Sequence, residues 1–202
     1  MTAGPWPADL AAASVEEIFT AAGALRTGHF RLKSGLHSDR YLEKFAVLQY
    51  PPLATELCRR LAEAIAPYDP QVVVGPTTGG VLLAYATARW LGDEVRGLFA
   101  EPAERGIRAL RRGFTVAPDE RIVLVDDILT TGESLRETIS AVASAGGRPL
   151  AAAVLVDRSG GAADIGLPVH PLASLDIATW HADACPLCAA GHPVIAPGSS
   201  TP

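Results

Sequence analysis

Ile122-Val123-Leu124-Val125-Asp126-Asp127-Ile128-Leu129-Thr130-Thr131-Gly132-Glu133-Ser134-Leu135 decides how this chain is read. The four apolar residues at its start predict a strand buried on both faces. A polar loop and a helix from about Ser134 to Ala145 follow. Two adjacent carboxylates directly after a buried strand repel each other and lose solvation unless something pairs with them. Ribose hydroxyls and a hydrated Mg²⁺ are such partners. Gly132 permits positive φ, so successive backbone N–H groups can converge on one anion. The Thr130, Thr131 and Ser134 hydroxyls add donors, and the helix start adds partial positive charge. One segment thus offers a phosphate nest beside a diol or metal-water site, which suits a ribose 5-phosphate. Simple capping accounts for one carboxylate and one hydroxyl, not for the whole group. A Walker-type loop is excluded because no Gly-Lys-Ser/Thr ends the turn.

Outward from this stretch the pattern repeats. Gln71 to Val74, Gly97 to Ala100, Leu150 to Val156 and Val169 to Leu172 are further apolar runs, with the helix-length segment Val81 to Leu91 between the first two. Leu53, Leu57, Leu61 and Ile65 recur every four residues in a helix that Pro67 ends. Ser14 and Glu17 form a capping box for an earlier helix closed by Gly23. Residues 29 to 41 read as short strands and turns. Continuous apolar strands alternating with helices define an α/β fold, a doubly wound and mainly parallel sheet flanked by helices. In such sheets ligands bind beyond the carboxyl ends of the strands.

The 202 residues suit one domain: an N-terminal segment of about 1–50, a core of about 51–175 and a tail of about 176–202. No uncharged apolar run approaches the ~18 residues of a membrane span, and Met1 to Pro7 lacks the basic start of a secretory signal. Three cysteines speak against a disulfide framework, and the net charge of −5 speaks against a nucleic-acid partner held by bulk charge. A soluble, cytoplasmic protein without nucleic-acid or membrane partners is expected.

The acidic-pair segment resembles the 5-phosphoribosyl-1-pyrophosphate (PRPP) motif of type I phosphoribosyltransferases. From about Phe30 to Arg158 the chain looks most like the orotate phosphoribosyltransferases of that family. The resemblance implies a small N-terminal hood, a homodimer with shared active sites, and Mg²⁺ as cofactor. It makes Asp126 and Asp127 the holders of the ribose hydroxyls and of magnesium through water, and Thr130, Thr131, Gly132, Glu133 and Ser134 the phosphate-binding residues. It makes Thr77, Thr78 and Gly79, after the run ending at Val74, a pyrophosphate loop in which a non-proline cis peptide is often found. Lys33, in Lys33-Ser34-Gly35, is implied to meet orotate and pyrophosphate. Arg158, after Asp157, is implied to grip orotate together with Thr130. A guanidinium at a strand's carboxyl end can indeed meet a carboxylate bidentately.

The sequence departs from the family in two places. Glu101 to Gly113, aligned with the catalytic loop, has no lysine or histidine, and Gly79 stands where many orotate enzymes carry a lysine. The loop stretch does hold four arginines against two glutamates. Arg105 and Arg108 are therefore expected to act as lid cations that take up leaving-group charge, with Arg111 and Arg112 on a strand framing the site. A solvated charged hairpin is the plain alternative.

In the tail, His181, Cys185, Cys188 and His192 follow the pattern His-x3-Cys-x2-Cys-x3-His. A packed turn with reduced thiols is the preferred reading, and a structural zinc on these four residues is the alternative. The functional expectation is phosphoribosyl transfer from PRPP to orotate, giving orotidine 5′-monophosphate and pyrophosphate in UMP biosynthesis. The rival readings are a purine phosphoribosyltransferase and a non-catalytic PRPP sensor of the same fold.

Overall fold

A computed structural model describes residues 6–32, 34–104 and 107–197. Its centre is a six-stranded sheet ordered β5-β4-β3-β6-β7-β8. The strands are β3 (Val72–Pro76), β4 (Arg96–Pro102), β5 (Arg108–Leu110), β6 (Ile122–Leu129), β7 (Pro149–Asp157) and β8 (Val169–Ser174). All neighbours run parallel except the edge pair β4 and β5.

Alternation along the central strands feeds two cores. Val73, Val123, Val125, Ala153 and Leu155 point to one face, where α3 (Pro51–Ile65) supplies Leu53, Leu57, Leu61 and Ile65, and α4 (Gly79–Leu91) supplies Leu83 and Ala84. Val72, Val74, Leu124, Ala152 and Val154 point to the other, where α5 (Glu133–Ser144) supplies Leu135 and Val142. A two-residue side-chain period in strands covered on both faces makes them apolar throughout.

Where β3 turns into α4, the backbones nearly touch. A Cβ built on Gly75 lies 2.2 Å from the Gly80 carbonyl oxygen, so neither β3 nor the first turn of α4 has room for a side chain there.

The hood is a three-stranded antiparallel sheet of β1 (Leu25–Arg31), β2 (His37–Leu42) and β9 (Thr179–Trp180), preceded by α1 (Val15–Ala21). Both halves of the Ser14/Glu17 capping box are formed. The tail belongs physically to this hood. β9 pairs with β2 through His37 and Trp180, and Ile195 bridges Phe30 on the opposite edge of the hairpin. Between these two attachments lies the short helix α6 (Pro186–Ala189). A further short helix, α2 (Lys44–Leu48), links the hood to α3.

Two expectations are corrected here. The acidic pair does not follow its strand: β6 continues through Asp126 and Asp127 to Leu129, because Asp126 stays in register with Val154 and Leu129 with Asp157 on β7. Arg111 and Arg112 do not frame the site on a strand. β5 ends at Leu110, and Arg112 sits in a turn at φ 62° with its guanidinium on Glu101.

Candidate active site

The carboxyl ends of β3, β6 and β7 meet the hood across a cleft of about 280 Å³. Pro76, Thr77 and Gly79 form one wall, Asp126 to Ile128 the floor, Arg158 the far end, and Leu42, Glu43 and Lys44 the roof. A second hollow of about 150 Å³ is formed by Thr130, Thr131, Gly132, Glu133, Ser134 and Leu135 around the start of α5. The two hollows share Asp126, Ile128, Thr130 and Ser134, so they adjoin along one groove.

The nest follows from local backbone geometry. Gly132 takes φ +81° as the residue before α5, a conformation that L side chains adopt rarely. The Glu133 N–H at the start of α5 donates to Thr131 Oγ1 at 3.4 Å, while those of Ser134 and Leu135 have no acceptor within the helix and can face an anion. Arg136 fastens the loop from outside, donating to the Thr131 carbonyl at 2.8 Å and to the Asp164 carbonyl at 2.8 Å.

Asp126 and Asp127 are both buried. The Asp127 N–H donates to Asp126 Oδ1, and the Ile128 N–H to Asp127 Oδ1, each at 2.8 Å. Burial first, and the Asp127 charge second, push the Asp126 carboxyl above the ordinary carboxylate range. The Asp127 N–H, Lys44 and Arg108 oppose this only in part. The pair therefore holds more negative charge than its protein partners balance, and hydroxyl donors or a cation would relieve it.

Lys44 is the functional side chain missed by sequence reasoning. Its ammonium lies 2.8 Å from Asp127 Oδ2 and donates to Oδ1 at 3.0 Å. Glu43 caps α2 by accepting from the Phe45 N–H, which fixes the start of the helix that carries Lys44. The available signal was scarcity: the chain has only two lysines, Lys33 and Lys44, beside fifteen arginines. Gly79 complements this arrangement. A Cβ there would stand 2.1 Å from Asp127 Oδ2, so a side chain at residue 79 would require the Asp127 carboxylate to shift. The cation beside Asp127 comes from the hood instead of from the loop.

Arg158 follows β7, held by its N–H donating to the Leu129 carbonyl at 2.8 Å. Its Nε is buried without a hydrogen-bond partner among the described residues, and burial lowers its pKa. A desolvated guanidinium at the cleft wall gains from a carboxylate. Asp157 accepts from the Ser159 N–H at 2.7 Å and so orients the loop after β7. The Thr77–Thr78 peptide is cis.

Arg108 corrects the expectation of a lid cation. It lies on β5 with its guanidinium largely buried, paired to Glu137 at 2.9 Å and donating to Thr77 Oγ1 at 3.2 Å. An arginine so engaged holds the Thr77 loop in place. Lys33 and Arg105 lie outside the described residues.

The tail histidines are a further correction. Cys185 and Cys188 gather with His29 and His37, not with His181 and His192. His181 precedes a short 3-10 turn, and the backbone carbonyl of His192 accepts from His29 Nδ1 at 2.9 Å. His181 stands four positions before Cys185 and His192 four positions after Cys188, whereas the β1–β2 hairpin presents two imidazoles together.

Comparison with known proteins places these features in a family. The phosphoribosyl transferase domain pattern matches residues 47–184, and the chain belongs to that family. Within it, the chain is 49% identical over 195 residues to the orotate phosphoribosyltransferase of Acidithiobacillus ferrooxidans, covering 94% of this chain and 98% of that one. It is 47% identical over 182 residues to that of Pelotomaculum thermopropionicum, covering 90% and 94%. The crystal structure of orotate phosphoribosyltransferase from Aeropyrum pernix superposes with a TM-score of 0.68 at 26% identity, over 80% of this chain and 93% of that one. The particular branch is thus that of the orotate phosphoribosyltransferases.

Proposed function

We propose that this chain joins orotate to the phosphoribosyl group of PRPP in the groove formed by the cleft and the α5 nest. The observation that carries the reading is that the two hollows adjoin, sharing Asp126 and Thr130 in their walls. A substrate with one phosphate, a ribose diol and a diphosphate needs an anion nest, a carboxylate pair and a second donor-rich loop in that order. Thr130 to Ser134 hold the 5′-phosphate, Asp126 and Asp127 accept from the ribose hydroxyls, and the Thr77–Gly79 turn faces the diphosphate. Arg158 and Thr130 receive orotate, with its carboxylate on the buried guanidinium.

The base N1 attacks the anomeric carbon as its bond to the diphosphate oxygen breaks, through an oxocarbenium-like state with no covalent enzyme intermediate. Rate comes from alignment and from charge stabilisation. Asp126 and Asp127 lie close to the forming positive charge on the ribose, and the Lys44 ammonium holds Asp127 in place. Magnesium fits the donor set, because a buried, underbalanced carboxylate pair suits a hydrated hard cation. When bound with PRPP it supplies neutralisation of the diphosphate charge.

A homodimer is part of the proposal, supported by Leu82, Tyr85 and Trp90, large apolar side chains exposed together on α4. A cytoplasmic setting accords with three cysteines that form no disulfide. Steady-state kinetics with orotate, PRPP and Mg²⁺ test the assignment. Arg158→Ala is expected to raise the orotate KM about tenfold or more while leaving the PRPP KM nearly unchanged. Tight adenine or xanthine binding without orotate turnover sinks the choice of base. PRPP binding without turnover at any pH favours the sensor reading.

A further inference from the structure

The geometry points to a zinc ion held by His29, His37, Cys185 and Cys188, clamping the C-terminal tail to the hood. His29 Nε2, His37 Nδ1 and the two sulfurs all lie within 4.8 Å of one another. Three of the four S···N separations are 3.4 Å for Cys185–His29, 3.7 Å for Cys188–His29 and 3.3 Å for Cys188–His37, and the fourth lies within the same 4.8 Å. A tetrahedral ion with Zn–S of ~2.3 Å and Zn–N of ~2.0–2.1 Å sets S···N edges at about 3.5 Å. The two imidazole nitrogens stand 2.9 Å apart, slightly inside the corresponding edge of about 3.3 Å.

Hydrogen bonding alone does not account for this arrangement. His29 Nδ1 contacts the His192 carbonyl at 2.9 Å, which places the ring proton there and leaves Nε2 as a lone pair. That one lone pair has three neighbours within 3.7 Å, His37 Nδ1 and both sulfurs. A single imidazole acceptor serves one well-aligned donor, so the remaining polar atoms would face each other without partners, three of the four groups being buried and Cys188 exposed. His29, His37 and Cys185 are all nearly inaccessible to solvent. A central cation satisfies all four groups at once, the two thiols giving their protons to solvent as it binds. The His192 carbonyl then acts as the outer partner that orients a ligating imidazole. Two thiolates and two imidazoles around a closed, redox-inert centre select zinc over harder cations.

The fold has built this convergence. In the β1–β2 ladder Thr27 faces Arg40 and Phe30 faces Ser38, so Gly28 and His29 together oppose Asp39. Such a bulge re-aims a side chain, and here His29 meets His37 across the hairpin. The tail reaches the same spot because β9 pairs at His37 and Ile195 pairs at Phe30, with α6 and its cysteines between.

Metal analysis of the tag-free protein, purified in reductant and dialysed against a weak chelator, is expected to give one zinc per chain. Cobalt substitution is expected to give the intense visible bands of a tetrahedral thiolate site. Cys185→Ser and Cys188→Ser each bring zinc below about a tenth of an equivalent, whereas His181→Ala with His192→Ala leaves it at one. Should the cysteine variants fail to fold, thiol labelling of the unmutated protein decides: zinc returned after stripping slows labelling of Cys185 and Cys188 at least about tenfold. Metal-free wild-type protein whose labelling rate ignores added zinc overturns the inference. So does loss of zinc in the His181/His192 variant, or stoichiometric iron in place of zinc.

Discussion

The groove around Asp126 and the cluster around His29 are both polar centres in an apolar molecule, yet the chain builds them in opposite ways. The groove's decisive groups come from one run, residues 126–134, where a strand ends and a helix begins. The cluster joins His29 and His37 to cysteines about 150 residues further along. Local backbone geometry makes the first, so type and spacing along the chain carry its meaning. Sheet pairing makes the second, so spacing misleads. The sequence pattern coupled Cys185 and Cys188 to the histidines nearest in number, and the hairpin supplies two others.

The comparison breaks cleanly if the two centres do different work. Asp126→Asn is expected to lower kcat/KM by about 10³-fold, some 4 kcal/mol by analogy with a lost charge-stabilising group, without unfolding the protein. The Cys185→Ser, Cys188→Ser double variant is expected to lose about 3 kcal/mol of stability, a fall in Tm of roughly 6–12 °C for a chain of this size. Its kcat at a temperature where it remains folded should stay within about twofold of the unmutated enzyme. Paired assays of melting and turnover on both variants check this. A cysteine variant as inactive as Asp126→Asn, while still folded, shows that the centres are not independent.

What was legible follows the same division. The four core runs and the Leu53–Ile65 helix appear where the periodicity placed them, because a strand buried on both faces and a helix with one apolar stripe leave local signatures. The strand's extension through Asp126 and Asp127 was illegible, since the cross-strand register to β7 holds it there against the polarity of its residues. Arg108 was misread for a related reason. Charge in a loop-like stretch looks the same whether it faces solvent or Glu137, and only the folded chain, with Arg108 on β5 paired to Glu137 on α5, shows which it faces. Lys44 had no motif around it. Its role arises from the hood closing over a strand some eighty residues later.

Lys44 sharpens the contrast, because it reaches the acidic pair from a part of the chain some eighty residues away. Lys44→Gln is expected to cost about 10²-fold in kcat/KM, less than the loss of Asp126 because Asp127 keeps its backbone donor. Adding a lysine at residue 79 should not restore activity, as a Cβ there meets Asp127 Oδ2 at 2.1 Å. Full activity in the Lys44→Gln, Gly79→Lys double variant would mean that the loop can relax to seat a lysine beside Asp127, and that the contribution of Lys44 is interchangeable.

The smallest effect is a gain. The Asp126 carboxyl is raised above its unfolded value by burial and by Asp127. Between the unfolded pKa of about 4 and the raised folded one, the folded state binds the extra proton, so stability falls as pH climbs through that window. Asn at this position keeps an oxygen for the Asp127 N–H but never ionises. Asp126→Asn should therefore match the unmutated protein near pH 4 and exceed it increasingly toward neutrality, by about 1.4 kcal/mol for each unit of the upward shift. Denaturant melts across that range check the sign. Equal stability at all pH values would show that Asp126 is already fully balanced by Lys44, Arg108 and its backbone donor. The groove would then need no further cation or hydroxyl partner. A gain in stability at the expense of turnover is what a carboxylate kept for its substrate, not for its fold, must show.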